Sequence, residues 1–89
     1  MLIPVYTNRF EKDLKRMRKR GCDASKIKAA MILLINEKLL DVKMKDHPLR
    51  GNFKDRRECH LEPDWLLIYR FDENRIFFER TGTHADLFR

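Results

Sequence analysis

RRECHLEPDWLLIYRFDENRIFFERT, residues Arg56 to Thr81, decides the fold. Arg56 to Leu61 follows the period of two that a strand imposes. It puts Arg56, Glu58 and His60 on one face and Arg57, Cys59 and Leu61 on the other. Glu62-Pro63-Asp64 has turn composition. Trp65 to Phe71 is nearly all apolar, the pattern of a central strand covered on both faces. Asp72-Glu73-Asn74 makes a second turn and Arg75 to Thr81 a further strand. By alternation, Ile76, Phe78 and Arg80 are expected on one side of that strand, and Phe77, Glu79 and Thr81 on the other. Consecutive strands joined this tightly form an antiparallel meander.

Upstream the period changes. Leu2 to Tyr6 reads as a short strand, with Pro4 favouring a sheet edge. Asn8 and Glu11 have capping-box spacing, and Phe10, Leu14 and Met17 make the apolar stripe of a helix that Gly21 ends. Asp23 or Ser25 caps a second helix, expected to run to about Leu40, whose Ile27, Ala30, Met31, Leu34 and Ile35 need a surface to cover. Residues 41–54, containing His47-Pro48, Gly51 and Asn52, read as loop. The expectation is an α+β fold in the order β-α-α-β-β-β, with the two-helix hairpin packed on the meander, in one domain over residues 1–89.

Composition excludes several classes. Eighty-nine residues can bury roughly 60–65% of their unfolded surface, which supports one modest core. With 43% hydrophobic residues the chain is not a disordered segment, and no apolar run approaches the roughly 18 residues of a membrane span. The N-terminus lacks the features of a secretory signal. Cys22 and Cys59 have no metal spacing and are too few for a disulfide framework, which points to a reducing cytoplasm.

The net charge of +6 is unevenly placed. Residues 1–30 hold nine Lys/Arg against three acids, whereas residues 31–89 hold eleven of each sign. The excess therefore lies in the first third, mostly on the first helix. Charge of that kind speeds encounter with polyanions, and it equally describes a solvated helix face.

The neutral remainder carries the chemistry. All three histidines lie there, in Lys45-Asp46-His47-Pro48-Leu49-Arg50-Gly51, Glu58-Cys59-His60-Leu61-Glu62-Pro63-Asp64-Trp65 and Arg80-Thr81-Gly82-Thr83-His84. Imidazole is the side chain that ordinarily changes charge near neutral pH, and carboxylates and arginines stand beside each one. The set suggests proton transfer at a phosphate. Taken singly, each residue also has a plain structural role: His60 as a satisfied strand side chain, His47 as part of a turn, Asp64 as a hairpin residue, Trp65 as core and Phe88 as a clip for the chain end. Cys59 points away from His60 by alternation, so a cysteine–histidine nucleophile pair is not expected.

Three strings in register carry a resemblance. They are Lys45-Asp46-His47-Pro48-Leu49 with Gly51, His60-Leu61-Glu62-Pro63-Asp64-Trp65-Leu66-Leu67-Ile68-Tyr69, and Phe78-Glu79-Arg80-Thr81-Gly82-Thr83-His84-Ala85 with Leu87-Phe88. In order and spacing the chain resembles the YafQ branch of the RelE-like bacterial toxins. The resemblance covers about half of the sequence, and the first forty residues match in pattern only.

The resemblance implies a toxin that cleaves messenger RNA, typically in the ribosomal decoding site, with no metal or cofactor. A small antitoxin would be its partner, and operator DNA would be reached only through the antitoxin complex. His60 and His84 fall where the family places acid–base histidines, with Asp64 as a further proton-transfer or orienting group and His47 as the supporting loop histidine. Arg80 is the cationic stabiliser, because a guanidinium can pair two phosphate oxygens. Trp65 and Phe88 match positions that hold RNA or shape the site. Glu58 stands where relatives often carry Asp, and its longer arm moves the carboxylate. Lys15, Arg16, Lys19 and Arg20, on the basic helix, become candidates for contacting ribosomal RNA. Two other classes share this outline: a module that represses its own operon with the antitoxin, and a non-catalytic ribosome-associated protein. Retention of His60, Asp64 and His84 favours the enzyme, since binding alone needs no proton carriers.

Overall fold

A computed structural model describes residues 1–88. Five strands form one sheet in the order β1-β5-β4-β3-β2: β1 Ile3–Tyr6, β2 His47–Pro48, β3 Arg57–Glu62, β4 Trp65–Asp72 and β5 Arg75–Gly82. Helices α1 Asn8–Lys19 and α2 Ala24–Ile35 follow β1, and a single turn, α3 His84–Leu87, follows β5. The α+β architecture with its antiparallel meander is as the alternation predicts, and β1 lies at the edge that Pro4 requires. There it runs parallel to β5.

The local chemistry sets the helix ends. Thr7, not Asn8, caps α1, its hydroxyl accepting from the Phe10 amide at 3.0 Å. That moves the cap one residue upstream of the expected box. At the other end the Gly21 amide donates to the Arg18 carbonyl and the Cys22 amide to that of Met17, with Gly21 at φ +87°. This double closure needs a left-handed residue, which glycine supplies without steric cost. The same closure ends α2 at Ile35, well short of Leu40, with Glu37 holding the left-handed position at φ 58°. No glycine marks that stop, so the apolar residues beyond it extended the predicted helix.

Phe10, Met17, Ile27 and Leu34 pack from the helices onto Cys59, Leu67, Tyr69, Ile76 and Phe78 of the sheet. Each large side chain buried in this way contributes about 1.5–3 kcal/mol of transfer free energy. The opposite face carries a smaller cluster in which Leu66 and Ile68 meet Leu87, Leu49 and Phe53. β4 is thus covered on both sides. Residues 41–54 are more ordered than a plain loop: two short 3₁₀ turns, Val42–Met44 and Gly51–Phe53, bracket β2, which pairs antiparallel with β3. Among the described residues, no helix is long and apolar enough to cross a membrane.

One departure from strict alternation decides the site. β4 and β5 pair Tyr69 with Phe78 but Ile68 with Arg80, so β5 holds one extra residue, Glu79. Directly opposed residues share a face. Phe78 therefore stays with the helix-side core, while Arg80 crosses to the face of Ile68. The expected grouping of Phe78 with Arg80 is corrected by this bulge, and Thr81, opposite Leu67, joins the core instead.

Candidate active site

The sheet face away from the main core gathers the three histidines in a row. On β3, Glu58 pairs with Ile68 and His60 with Leu66, and β2 sets His47 opposite Glu58. The ring centroids of His47 and His60 lie 6.2 Å apart, and those of His60 and His84 lie 5.8 Å apart. Beyond His84 the row continues through Phe88 at 6.4 Å to Phe53, 5.1 Å further on.

Each histidine has a carboxylate or carbonyl that fixes its ring. His47 Nδ1 lies 2.5 Å from the Lys45 carbonyl, an acceptor only, so Nδ1 carries the proton and Nε2 faces Glu58 Oε2 at 3.2 Å. His60 Nε2 approaches the same Glu58 oxygen at 3.5 Å. Glu58 is buried, and its carboxylate anchors two rings at once. His84 meets Asp64 in the β3–β4 turn: Asp64 Oδ1 accepts from the His84 amide at 2.8 Å and from Nδ1 at 2.6 Å. Those two bonds hold the Asp64 carboxyl below its usual range, the backbone bond being the larger cause. They also select the tautomer of His84 that leaves Nε2 available for chemistry. The His84 side chain is 53% exposed, so a substrate can reach it.

Space opens on both sides of the row. A cleft of about 530 Å³ beside His60 is bordered by Asp41, Lys43, Lys45 and Glu62, and one of about 390 Å³ is bordered by Arg9, Phe53, Arg56, Glu79 and Arg80. Arg80 does not reach out freely. Its Nε and Nη2 donate to the buried Asp13 of α1 at 2.7 and 3.3 Å, and its side chain is 16% exposed. Arg16 and the Thr81 amide donate to Asp13 as well.

Trp65 is interior at 2% exposure, and its indole N–H donates to Thr81 Oγ1 at 2.9 Å. It packs in the helix-side core and offers no face to a base. Phe88 is 37% exposed and keeps an open face. Lys15, Arg16, Lys19 and Arg20 all lie on the exposed side of α1. Two of them are engaged, Arg16 with Asp13 and Arg20 with Asp86. Cys22 and Cys59 are both free thiols, and burial pushes Cys59 up to about 12 on the helix side of the sheet. A thiol held neutral and turned away from His60 is no nucleophile.

Sequence reasoning missed Asp13 and Asp86. Asp13 had a signal: it stands on the apolar stripe between Phe10 and Met17, where an acid must have buried partners. Asp86 had one too, three residues after Thr83, the spacing of a capping box, which the structure forms in full.

One group of ligand type stands out among the described residues. Donor atoms of His47, Glu58 and His60 lie within 4.8 Å of one another, and imidazole with carboxylate suits a borderline transition metal. Such an ion would take up the lone pairs that proton transfer uses.

The fold coincides with that of known proteins. Residues 3–89 match the family of bacterial toxins of type II toxin–antitoxin systems called YafQ. The chain belongs to the YafQ family. It is 50% identical over 84 residues to the mRNA interferase toxin YafQ of Escherichia coli K12, which covers 93% of this chain and 91% of that one. The crystal structure of the E. coli DinJ–YafQ complex aligns over the full length of both chains with a TM-score of 0.93 at 46% identity. A metal-bound toxin from Helicobacter pylori aligns with a TM-score of 0.93 at 43% identity, covering 99% of this chain and 100% of that one. The RelE-like α+β fold of the YafQ toxins is therefore the fold of this chain.

Proposed function

We propose that this YafQ-family toxin is an mRNA endoribonuclease that cuts ribosome-bound messages in the cytoplasm, needs no metal, and is held inactive by an acidic antitoxin. Residues 1–89 act as one toxin domain. The observation that carries the reading is the His84–Asp64 pair with the His60 ring 5.8 Å away, on an open sheet face with one cleft beside His60 and another lined by Arg9, Arg56 and Arg80.

The reaction needs only groups of this chain and the RNA. One imidazole takes the proton from a ribose 2′-OH. The oxygen forms a bond to the adjacent phosphorus, the bond from phosphorus to the 5′-oxygen breaks, and the second imidazole protonates the departing oxygen. The product is a 2′,3′-cyclic phosphate. His60 and His84 are the proton carriers. Asp64 orients His84, and Glu58 orients His60 and His47. Arg80, held by Asp13, supplies positive charge for the phosphorane, while Phe88 offers its open face to a base. Each proton-transfer group is worth about 10²–10⁴-fold, and a stacked base about 1–3 kcal/mol. Lys15 and Lys19 supply screened attraction to ribosomal RNA. Operator DNA is reached only through the antitoxin complex.

The test is induced expression of wild type, His60→Ala and His84→Ala, with mRNA 5′ ends mapped. Cuts that vanish in both variants support the reading. Cuts unchanged in either variant reject the histidine acid–base assignment, and growth arrest without cuts points to a non-catalytic ribosome-binding or operon-repressing module. Metal independence predicts undiminished cleavage in a transition-metal chelator that leaves the ribosomal Mg²⁺ in place, and loss of cleavage when zinc occupies His47, Glu58 and His60.

A further inference from the structure

His84 stands on a helix of only four residues, too short to persist by itself. Something outside α3 must hold it. Leu87 anchors its far end in the cluster with Leu66 and Ile68. Its near end is held by a relay of polar bonds. The Thr83 hydroxyl accepts from the Asp86 amide at 3.1 Å, and Asp86 Oδ2 accepts from the Thr83 amide at 2.9 Å. Gly82 just before them is buried, and a Cβ there would stand 3.0 Å from Asp86 Cβ and Oδ2. The carboxylate therefore sits flat against the backbone that leads into His84.

That carboxylate is gripped from across the fold. Arg20 Nη1 donates to Asp86 Oδ2 at 2.7 Å and Nη2 to Oδ1 at 3.2 Å, a two-pronged pairing that fixes direction as well as distance. Arg20 is itself the capping residue of α1, pinned by the left-handed turn at Gly21. The bond to Arg20 is the main reason why the Asp86 carboxyl lies far below the ordinary range. A rigid point on α1 is thereby joined, through Asp86 and the Thr83 cap, to the amide of His84, and from there to Asp64.

We propose that Arg20 is a positioning residue for His84, acting through Asp86 and the Thr83 cap, and not a contact for the polyanion. The inference rests on the acid–base reading of His84. On this account the basic helix divides its labour. Lys15 and Lys19 attract RNA, whereas Arg20 commits its charge to Asp86.

The experiment is single-turnover cleavage of mRNA on programmed ribosomes, with rate measured against ribosome concentration. The variants are Arg20→Gln, Arg20→Lys, Asp86→Asn, the double Arg20→Gln/Asp86→Asn, and His84→Gln. Asp86→Asn keeps an acceptor for the Thr83 amide but releases Arg20. A loosened catalytic group predicts a saturating rate lower by about tenfold in Arg20→Gln, with half-saturation nearly unchanged. Asp86→Asn should fall by a similar factor, the double variant no further than the worse single, and Arg20→Lys should recover part of the rate. The proposal is overturned if Arg20→Gln raises half-saturation at an unchanged rate, or if the two substitutions multiply. A wild-type rate in Arg20→Gln beside an inactive His84→Gln also overturns it, while leaving the acid–base reading intact. Undiminished cleavage by His84→Gln removes that reading and this proposal together.

Discussion

Asp13→Asn removes a buried charge with almost no change in shape. Four donors end on the Asp13 carboxylate: Arg16 Nη2 at 2.8 Å, Arg80 Nε at 2.7 Å, Arg80 Nη2 at 3.3 Å and the Thr81 amide at 3.2 Å. Its side chain is 5% exposed and that of Arg80 16%. Breaking a fully buried pair costs about 3–5 kcal/mol, because the remaining charge is left uncompensated. Partial exposure of Arg80 lowers that figure, and the oxygen kept by asparagine returns about 1 kcal/mol. The expected loss is therefore about 2–3 kcal/mol, which at about 4–8 °C per kcal/mol for a domain of this size lowers the melting temperature by about 10–20 °C. Thermal and urea unfolding followed by far-UV circular dichroism measure it. Adding Arg80→Gln to Asp13→Asn should restore part of the loss, since both charges are then gone. A loss below about 0.5 kcal/mol, or strict additivity of the two substitutions, refutes the argument that this pair ties α1 to β5.

Other expectations follow from the same geometry. Thr81→Val strands the Trp65 N–H and the Leu66 carbonyl, both bonded to Thr81 Oγ1, and should cost about 2–4 kcal/mol in urea unfolding. Lys15→Gln with Lys19→Gln should flatten the dependence of log affinity for ribosomes on log salt by about 1.5, with the saturating cleavage rate unchanged. Asp64 and Asp86 are both held below their ordinary range in the fold, so the unfolded chain binds more protons in acid. Their stabilisation is complete above the unfolded value near pH 4 and is lost as pH falls through the folded values. Asp86→Asn should accordingly flatten the fall of the urea midpoint between about pH 5 and about pH 2.

The meander and the helix pair were legible because burial writes periodicity into the residues. The Trp65 to Phe71 run and the alternation of Arg56 to Leu61 leave little choice of register. What escaped depends on single residues in uncommon conformations or on long-range pairing. Glu37 ends α2 in a left-handed turn that only glycine would have announced. The extra residue Glu79 moves Arg80 to the other face, and a bulge leaves no mark in an alternating string. For the site, the histidine strings named side chains that the structure brings together, and local turns explain how Asp64 meets His84. Arg80 with Asp13, and Arg20 with Asp86, join residues more than sixty positions apart. The charge of α1 could be counted from the sequence, but its division between internal ties and open surface could not.

The most direct test of the central claim is the single-turnover rate of mRNA cleavage on ribosomes by His60→Ala and His84→Ala, with the folding of each variant checked by circular dichroism. The account predicts that each loses about 10²–10⁴-fold in rate while ribosome binding stays near wild type. Cleavage at the wild-type rate by either folded variant would contradict it.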